Sequence, residues 1–221
     1  MEKSIKNLVR KDILDFLSLV QDLAEGYDVY LGGGYLRDRY YNEFGVKENL
    51  LDFILTPKDL DIFFVPKEGA QTKVIPAIPK TYINFDINGD DVKDVRPNVK
   101  RVMGIFNKNL SVCDVQFIEY KSPMTGHELA RDMDMNINQV MLRADGQAFM
   151  TKDFVLSHEN KVLEFKHEFG FDRMTLRLRR MKNKFPAYQF KGDTLLEFAA
   201  KECIPESVRS SGSVTGSFIE D

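Results

Sequence analysis

The sequence predicts an α+β fold, and three observations point to it. Apolar residues recur at helical intervals near the N-terminus, short β-like runs bounded by glycine, proline, asparagine and aspartate fill the middle, and helical periodicity returns toward the C-terminus. A chain of 221 residues suits one medium domain with an appendage, or two small domains sharing a core.

The elements follow in order. From Ile5 to Leu23, the residues Leu8, Val9, Ile13, Phe16, Leu17, Val20 and Leu23 fall three and four apart, which predicts one helix ending near Gly26. Tyr27 to Leu31 reads as a short strand running into Gly32, Gly33 and Gly34, and Tyr35 to Phe44 as the helix after this glycine turn. Leu60 to Val65 is a second strand, and Val99 to Phe106 with Val112 to Ile118 reads as a hairpin across Asn107-Lys108-Asn109. Residues 66–97, rich in Pro, Gly and Asp, are expected to be a long insertion carrying one short strand at Tyr82 to Ile87. Ile137 to Leu142 and Gln147 to Met150 flank Ala144-Asp145-Gly146 as another hairpin. Helical pattern returns from Met174 to Phe185, stops at Pro186, and resumes from Thr194 to Cys203. The expected organisation is a first domain over 1–153, a basic helical neck over 154–206, and a disordered Ser- and Gly-rich tail over 207–221.

Composition excludes several classes. A formal charge of −3 argues against a protein that coats nucleic acid indiscriminately. Cys113 and Cys203 lie far apart without C-x-x-C spacing, so neither a disulfide framework nor a zinc site is indicated. The N-terminus lacks the apolar run of a signal peptide, and no stretch approaches the ~18 apolar residues of a membrane span, so a cytoplasmic protein is expected. His127, His158 and His167 show no ligand spacing and are expected at the surface, and the methionines are expected to fill gaps in the core.

Chemistry enters with three segments. In Leu31-Gly32-Gly33-Gly34-Tyr35-Leu36-Arg37-Asp38, glycines between a strand and a helix let backbone N–H groups approach an anion, and the helix N-terminus adds partial positive charge. Phosphate is the natural guest, although such a triplet also serves as an ordinary tight turn. In Lys58-Asp59-Leu60-Asp61-Ile62, residues two apart share a strand face, so Asp59 and Asp61 project together while Leu60 and Ile62 point into the core. Two adjacent carboxylates repel unless a cation lies between them, and Mg²⁺ prefers oxygen ligands. In Val112-Cys113-Asp114-Val115-Gln116-Phe117, the apolar residues alternate away from Asp114. If this strand lies beside the first, three carboxylates converge as a two-metal phosphoryl-transfer site requires; otherwise Asp114 is an exposed strand residue.

Together these segments resemble the nucleotidyltransferase superfamily of DNA polymerase beta, whose signature is a glycine pair, a D-x-D and a third carboxylate on a later strand. Gly33-Gly34-Tyr35-Leu36-Arg37-Asp38 is similar to the G-G-x-V-R-D of bacterial-type CCA-adding enzymes and poly(A) polymerases, and Asp134-Met135-Asn136-Ile137-Asn138 to part of their R-R-D-F-T-I-N segment. A competing register would pair Arg131-Asp132 with Asn136; the register on Asp134 and Asn138 keeps Ile137, Val140 and Met141 on the family's apolar positions. The family's D-x-x-R motif, which reads the incoming base, has its counterpart in Phe171-Asp172-Arg173-Met174-Thr175, where Thr175 stands at the arginine position and Arg177 lies nearby. The resemblance spans about Gly32 to Phe185.

The resemblance implies a nucleotidyltransferase palm, a small mixed sheet with helices on one side, followed by the helical neck. It implies Asp59, Asp61 and Asp114 as catalytic, metal-binding carboxylates holding two Mg²⁺ ions. It implies nucleotide binding by Gly33, Gly34, Arg37, Asp38, Arg131, Asp134, Asn138, Asp172 and Arg177. The partners implied are a nucleoside triphosphate and an RNA 3′ end, with tRNA the leading acceptor. From Arg173 to Lys191 basic side chains occur without acidic ones, among them Arg179, Arg180, Lys182 and Lys184, which are expected to meet RNA phosphates. A protein or small-molecule acceptor, and an inactive antitoxin-like module on the same fold, are the rival readings.

Overall fold

The computed structural model describes residues 5–45, 54–57, 59–71, 84–86, 97–106, 114–168 and 170–202. The expected loop at Asn107-Lys108-Asn109, the tail over 207–221, and both cysteines lie outside these residues. The chain divides into two compact units, Met1–His167 and Glu168–Asp221.

The first unit is built on a seven-stranded mixed sheet in the order β3-β4-β5-β2-β1-β6-β7. Its strands are β1 (Tyr27–Gly32), β2 (Asp59–Pro66), β3 (Asn84–Asp86), β4 (Val99–Phe106), β5 (Asp114–Tyr120), β6 (Val140–Arg143) and β7 (Ala148–Met150). β2 and β5 run parallel, and the other neighbouring strands are antiparallel. Strand β3 is the short strand expected inside the insertion; it pairs with β4 at the sheet edge. β2 is central and buried on both faces beyond its first turn of pleat, because Leu60, Ile62 and Phe64 pack into one core and Phe63 and Val65 into another.

The first core is sealed by α1 (Lys11–Leu23), α2 (Gly33–Phe44) and α4 (Lys152–Glu159). α1 presents Ile13, Phe16, Leu17 and Val20, the i, i+3, i+4, i+7 set legible in the sequence. The expected single helix over Ile5 to Leu23 is broken, however, into a 3-10 turn (Ile5–Leu8) and α1. Tertiary bonds take the backbone groups a continuous helix would use: Arg39 Nε donates to the Leu8 carbonyl at 2.7 Å, and the Arg10 amide to the Tyr35 hydroxyl at 3.4 Å.

Helices do not lie on one side only. The second face carries α3 (Gly126–Arg131), whose Leu129 and Ala130 pack with Met133, Met141 and Phe149 against Tyr30, Phe63 and Tyr120. This helix opens with a capping box, Thr125 accepting from the Glu128 amide while the Glu128 carboxylate accepts from the Thr125 amide. That T-x-x-E signature was present in the sequence and explains a helix absent from the expected elements. α4 is likewise started by Thr151, whose hydroxyl accepts from the Phe154 amide at 3.0 Å.

The expected strand from Ile137 begins three residues later, at Val140, because Asn136–Asn138 form a 3-10 turn. The Asn136 side chain holds that turn, accepting from the Ile137 and Glu164 amides and donating to the Val162 carbonyl at 3.0 Å. His158 is 2 % exposed, not superficial as expected; it packs against Tyr40 and Phe154 with ring centroids 5.0 and 4.9 Å away. The short strand β8 (Val162–Leu163) lies beyond α4, so α4 and β8 belong to the first unit.

The second unit contains α5 (Phe171–Lys184), β9 (Gln189–Phe190) and α6 (Thr194–Glu202). α5 buries Thr175, Leu178 and Met181, and it ends where Phe185 and Tyr188 pack ring to ring at 5.1 Å ahead of α6.

Candidate active site

The site forms where β1 passes without a connecting loop into α2. Gly32 is the N-cap in extended backbone, and Gly33 already belongs to the helix with φ of +65°, a conformation in which a side chain costs roughly 1–2 kcal/mol. The need for glycine is also steric. A Cβ added at Gly33 would stand 2.2 Å from Asp61 Oδ2, so the Asp61 carboxylate occupies the space a side chain would fill. At Gly34 the added Cβ would meet Arg37 Nη2 at 3.3 Å and Asp59 Oδ1 at 3.8 Å. The glycine pair therefore abuts both carboxylates of β2.

β2 presents them by simple alternation: Asp59 and Asp61 are partly exposed, while Leu60 between them and Ile62 after them are fully buried. Across the sheet Asp61 opposes Gly32 on β1, and on the other side Asp59 opposes Asp114 and Asp61 opposes Gln116 on β5. The condition set by the sequence, that the two strands be neighbours, is met. Asp59 has no ion-pair partner among the described residues. The side chain of Asp114 is outside the description, and among the described residues no group of three or more His, Cys, Asp or Glu stands close enough to hold an ion. The described donors, carboxylate oxygens on a partly exposed strand end, have the chemistry that suits a hard divalent cation.

Behind the glycines runs a buried polar chain. Arg37 is 3 % exposed; its Nε donates to Asp38 Oδ1 at 2.8 Å and its Nη1 to Asn138 Oδ1 at 2.8 Å. Asn138 Nδ2 donates in turn to Asp134 Oδ1 at 2.7 Å. Thus Arg37, Asp38, Asn138 and Asp134, separated widely in sequence, form one connected set in which only Asp134 is partly exposed. The competing register falls elsewhere: Asp132 accepts from the Tyr120 hydroxyl at 2.7 Å and from Asn98, and Asn136 holds its own turn. Arg131 is exposed at the end of α3, where its carbonyl accepts from Gln139 Nε2 at 3.2 Å.

Asp172 and Arg177 lie on α5, in the second unit, together with Arg179, Arg180, Lys182 and Lys184. Asp172 and Arg180 are exposed and Arg177 and Arg179 half-buried. Lys182 donates to the Tyr188 carbonyl at 2.7 Å, a C-terminal interaction that binds it to its own unit. Thr175 is 5 % exposed, with a hydroxyl that has no hydrogen-bond partner among the described residues.

Sequence reasoning passed over Gln116. Of the side chains described on β5, from Val115 to Tyr120, Gln116 alone is exposed. The signal was a polar residue between apolar ones in Val115-Gln116-Phe117, read as strand alternation only.

No family model matches the sequence, and no curated protein is significantly similar to it. Solved structures are. The Thermotoga maritima CCA-adding enzyme complexed with tRNA aligns with a TM-score of 0.56 and 16% identity over 90% of this chain and 46% of that one. A CCA-adding enzyme with CTP gives 0.56 and 16% over 90% and 45%, and an apo form gives 0.57 and 17% over 95% and 45%. The chain spans just under half the length of these structures. Across that span it has the α+β fold of the nucleotidyltransferase head region of CCA-adding enzymes.

Proposed function

We propose that the protein is a metal-dependent nucleotidyltransferase that moves a nucleoside monophosphate from a nucleoside triphosphate onto an RNA 3′ hydroxyl, with tRNA the leading acceptor, and releases pyrophosphate. One observation carries the reading: the glycine start of α2 abuts the two aspartates of β2, and β5 brings Asp114 into register with the first of them. Phosphate-binding backbone and oxygen-donor carboxylates occur side by side, the combination that phosphoryl transfer needs.

In this reading the N–H groups at Gly33 and Gly34 hold the triphosphate, aided by the N-terminal end of the helix dipole. The acceptor oxygen attacks the α-phosphorus, the bond from that phosphorus to the bridging oxygen breaks, and pyrophosphate departs. Asp114 receives the proton of the attacking hydroxyl. Asp59, Asp61 and Asp114 would hold Mg²⁺, two ions in all, which when bound neutralises triphosphate charge and makes the hydroxyl easier to deprotonate. Arg37 and Asp38 are assigned a supporting part in nucleotide binding: with the guanidinium buried between Asp38 and Asn138, they brace the glycine turn and orient Asp134 toward the nucleotide. Arg131, Asp172 and Arg177 are assigned to the nucleoside, and Arg179, Arg180, Lys182 and Lys184 to the RNA backbone. The matched CCA-adding enzyme structures, one with tRNA and one with CTP, favour RNA over a protein or small-molecule acceptor.

The test is incubation of purified protein with each labelled triphosphate, Mg²⁺ and total RNA. Label is expected in RNA, lost with EDTA and lost in Asp59→Asn. Label appearing in the protein itself or in a small molecule, or none at all, would reject the RNA reading.

A further inference from the structure

The two flanks of β2 differ. On the β1 flank, Asp61 opposes Gly32 and its carboxylate lies against Gly33, so that side is closed by the backbone assigned to the triphosphate. On the β5 flank, Asp61 opposes Gln116, and Gln116 in turn opposes Gly104 on β4. Gln116 is exposed between neighbours that are not: Val115 and Phe117 are buried in the core sealed by α1, α2 and α4, and Ile118, one rung further along its own face, is 7 % exposed beside Phe63 at 1 %. From Val115 to Tyr120, strand β5 is therefore covered on both faces except at this one position, two residues along the strand from Asp114 and beside Asp61. A glycine at the facing position of β4 places no Cβ beside it.

A carboxamide here offers two N–H donors and one acceptor without charge, so it does not repel an anionic chain. With the triphosphate on the β1 flank, an in-line attack brings the acceptor hydroxyl in from the β5 flank. In that reading the attacking sugar would approach the Asp114 end of β5, and Gln116 stands two residues further along the same strand, beside Asp61.

We propose that Gln116 hydrogen-bonds the 2′-hydroxyl of the acceptor's terminal ribose, making it a specificity-determining residue that selects ribose over deoxyribose ends. The inference rests on the nucleotidyltransferase reading above. A site that hydrogen-bonds a hydroxyl disfavours the analogue lacking it, and the 2′-hydroxyl is the group that distinguishes RNA from DNA at one position. One hydrogen bond at an exposed site corresponds to a preference of about three- to tenfold.

The experiment compares two otherwise identical RNA hairpins, one ending in a ribonucleotide and one in a 2′-deoxynucleotide, both with a free 3′-hydroxyl. Extension rates under subsaturating acceptor and affinities by fluorescence anisotropy are measured for wild type and Gln116→Leu, which keeps the size and removes the hydrogen bonds. Wild type is expected to prefer the ribose end in both measurements. Gln116→Leu is expected to extend both ends equally, at the wild-type deoxy rate, with unchanged KM for the triphosphate and unchanged melting temperature. Transfer by wild type that ignores the 2′-hydroxyl, or a preference that survives in Gln116→Leu, overturns the inference while leaving the enzymatic reading intact. Failure of wild type to extend either hairpin or any RNA overturns both.

Discussion

Asp59 on β2 and Asp114 on β5 are register partners across the parallel pair, although the insertion and a complete antiparallel strand separate them in the chain. A parallel pair needs a crossover connection, here the segment containing β3 and β4, and its register decides which side chains of the two strands become neighbours. A slip by one residue would set Val115 opposite Asp59 and Asp114 opposite a neighbour of Asp59 instead.

Asp59→Asn and Asp61→Asn are each expected to lower nucleotidyl transfer by at least about a hundredfold, since either removes an oxygen donor from the proposed metal site. Both residues are partly exposed, so the melting temperature should stay within a few degrees of wild type. Label incorporation and thermal denaturation on the same preparations check this; transfer within tenfold of wild type would remove the residue from the mechanism.

The two glycines should respond differently to alanine. Gly33→Ala combines a positive φ with a Cβ at 2.2 Å from Asp61 Oδ2, so it should destabilise the fold by about 1–2 kcal/mol or more and also displace the Asp61 carboxylate. Gly34→Ala has no positive φ to strain it and places its Cβ 3.3 Å from Arg37 Nη2 and 3.8 Å from Asp59 Oδ1, so it should cost less stability than Gly33→Ala. Urea denaturation orders the two variants, and equal losses would show that the steric distinction does not govern the turn.

Removing the Arg37 guanidinium would take from the fully buried Asp38 the charged donor that meets it at 2.8 Å. Arg37→Ala is expected to destabilise by about 3–5 kcal/mol, and Asn138→Ala by about 1–3 kcal/mol. Because the two residues share a hydrogen bond, a double-mutant cycle should give a coupling energy above about 0.5 kcal/mol. Strict additivity in denaturation experiments would mean that the bond adds nothing.

Glu119 governs an acid-labile part of the stability. Burial pushes its carboxyl up, but hydrogen bonds from Tyr27, Lys100 and Arg101 outweigh burial and hold it below the usual 4.5. A carboxyl depressed on folding contributes stability that is complete above its unfolded value and is lost as pH falls through the folded one. Wild type should therefore lose stability in the region below about pH 4.5, and Glu119→Gln should show a shallower loss there from a lower plateau at neutral pH. Parallel slopes for the two proteins between pH 5 and pH 3, from chemical denaturation, would argue against this assignment.

On α5, Arg180 is exposed whereas Lys182 is engaged by the Tyr188 carbonyl. If the helix tracks RNA, Arg180→Ala should reduce the slope of log affinity against log salt by about 0.7 for a single-stranded end. Lys182→Ala should instead act mainly on the stability of the second unit. Titration of an RNA hairpin at several salt concentrations separates the two, and an unchanged slope in Arg180→Ala would take this residue out of the RNA contacts.

The local order was legible because it is written in short-range patterns. The helical period of Ile13, Phe16, Leu17 and Val20 specifies α1, the alternation of Asp59 and Asp61 with Leu60 and Ile62 specifies β2, and the glycines after Leu31 specify an abrupt passage from strand to helix. The capping box that starts α3 was equally local and went unread. Other features have no local signature. The break at Arg10 follows from Arg39 and Tyr35 reaching the N-terminal backbone, and the late start of β6 from Asn136 and Asn138 giving their side chains to distant partners. Long-range pairing also decides that Arg37 is a buried brace between Asp38 and Asn138, and that the exposed amide beside Asp61 is Gln116. The sequence by itself determined which residues share a face of their own element, since helix and strand periods are set by the backbone. Only the tertiary structure decided which faces meet, because strand order, register and buried hydrogen bonds are settled by contacts between segments that carry no record of one another in the linear chain.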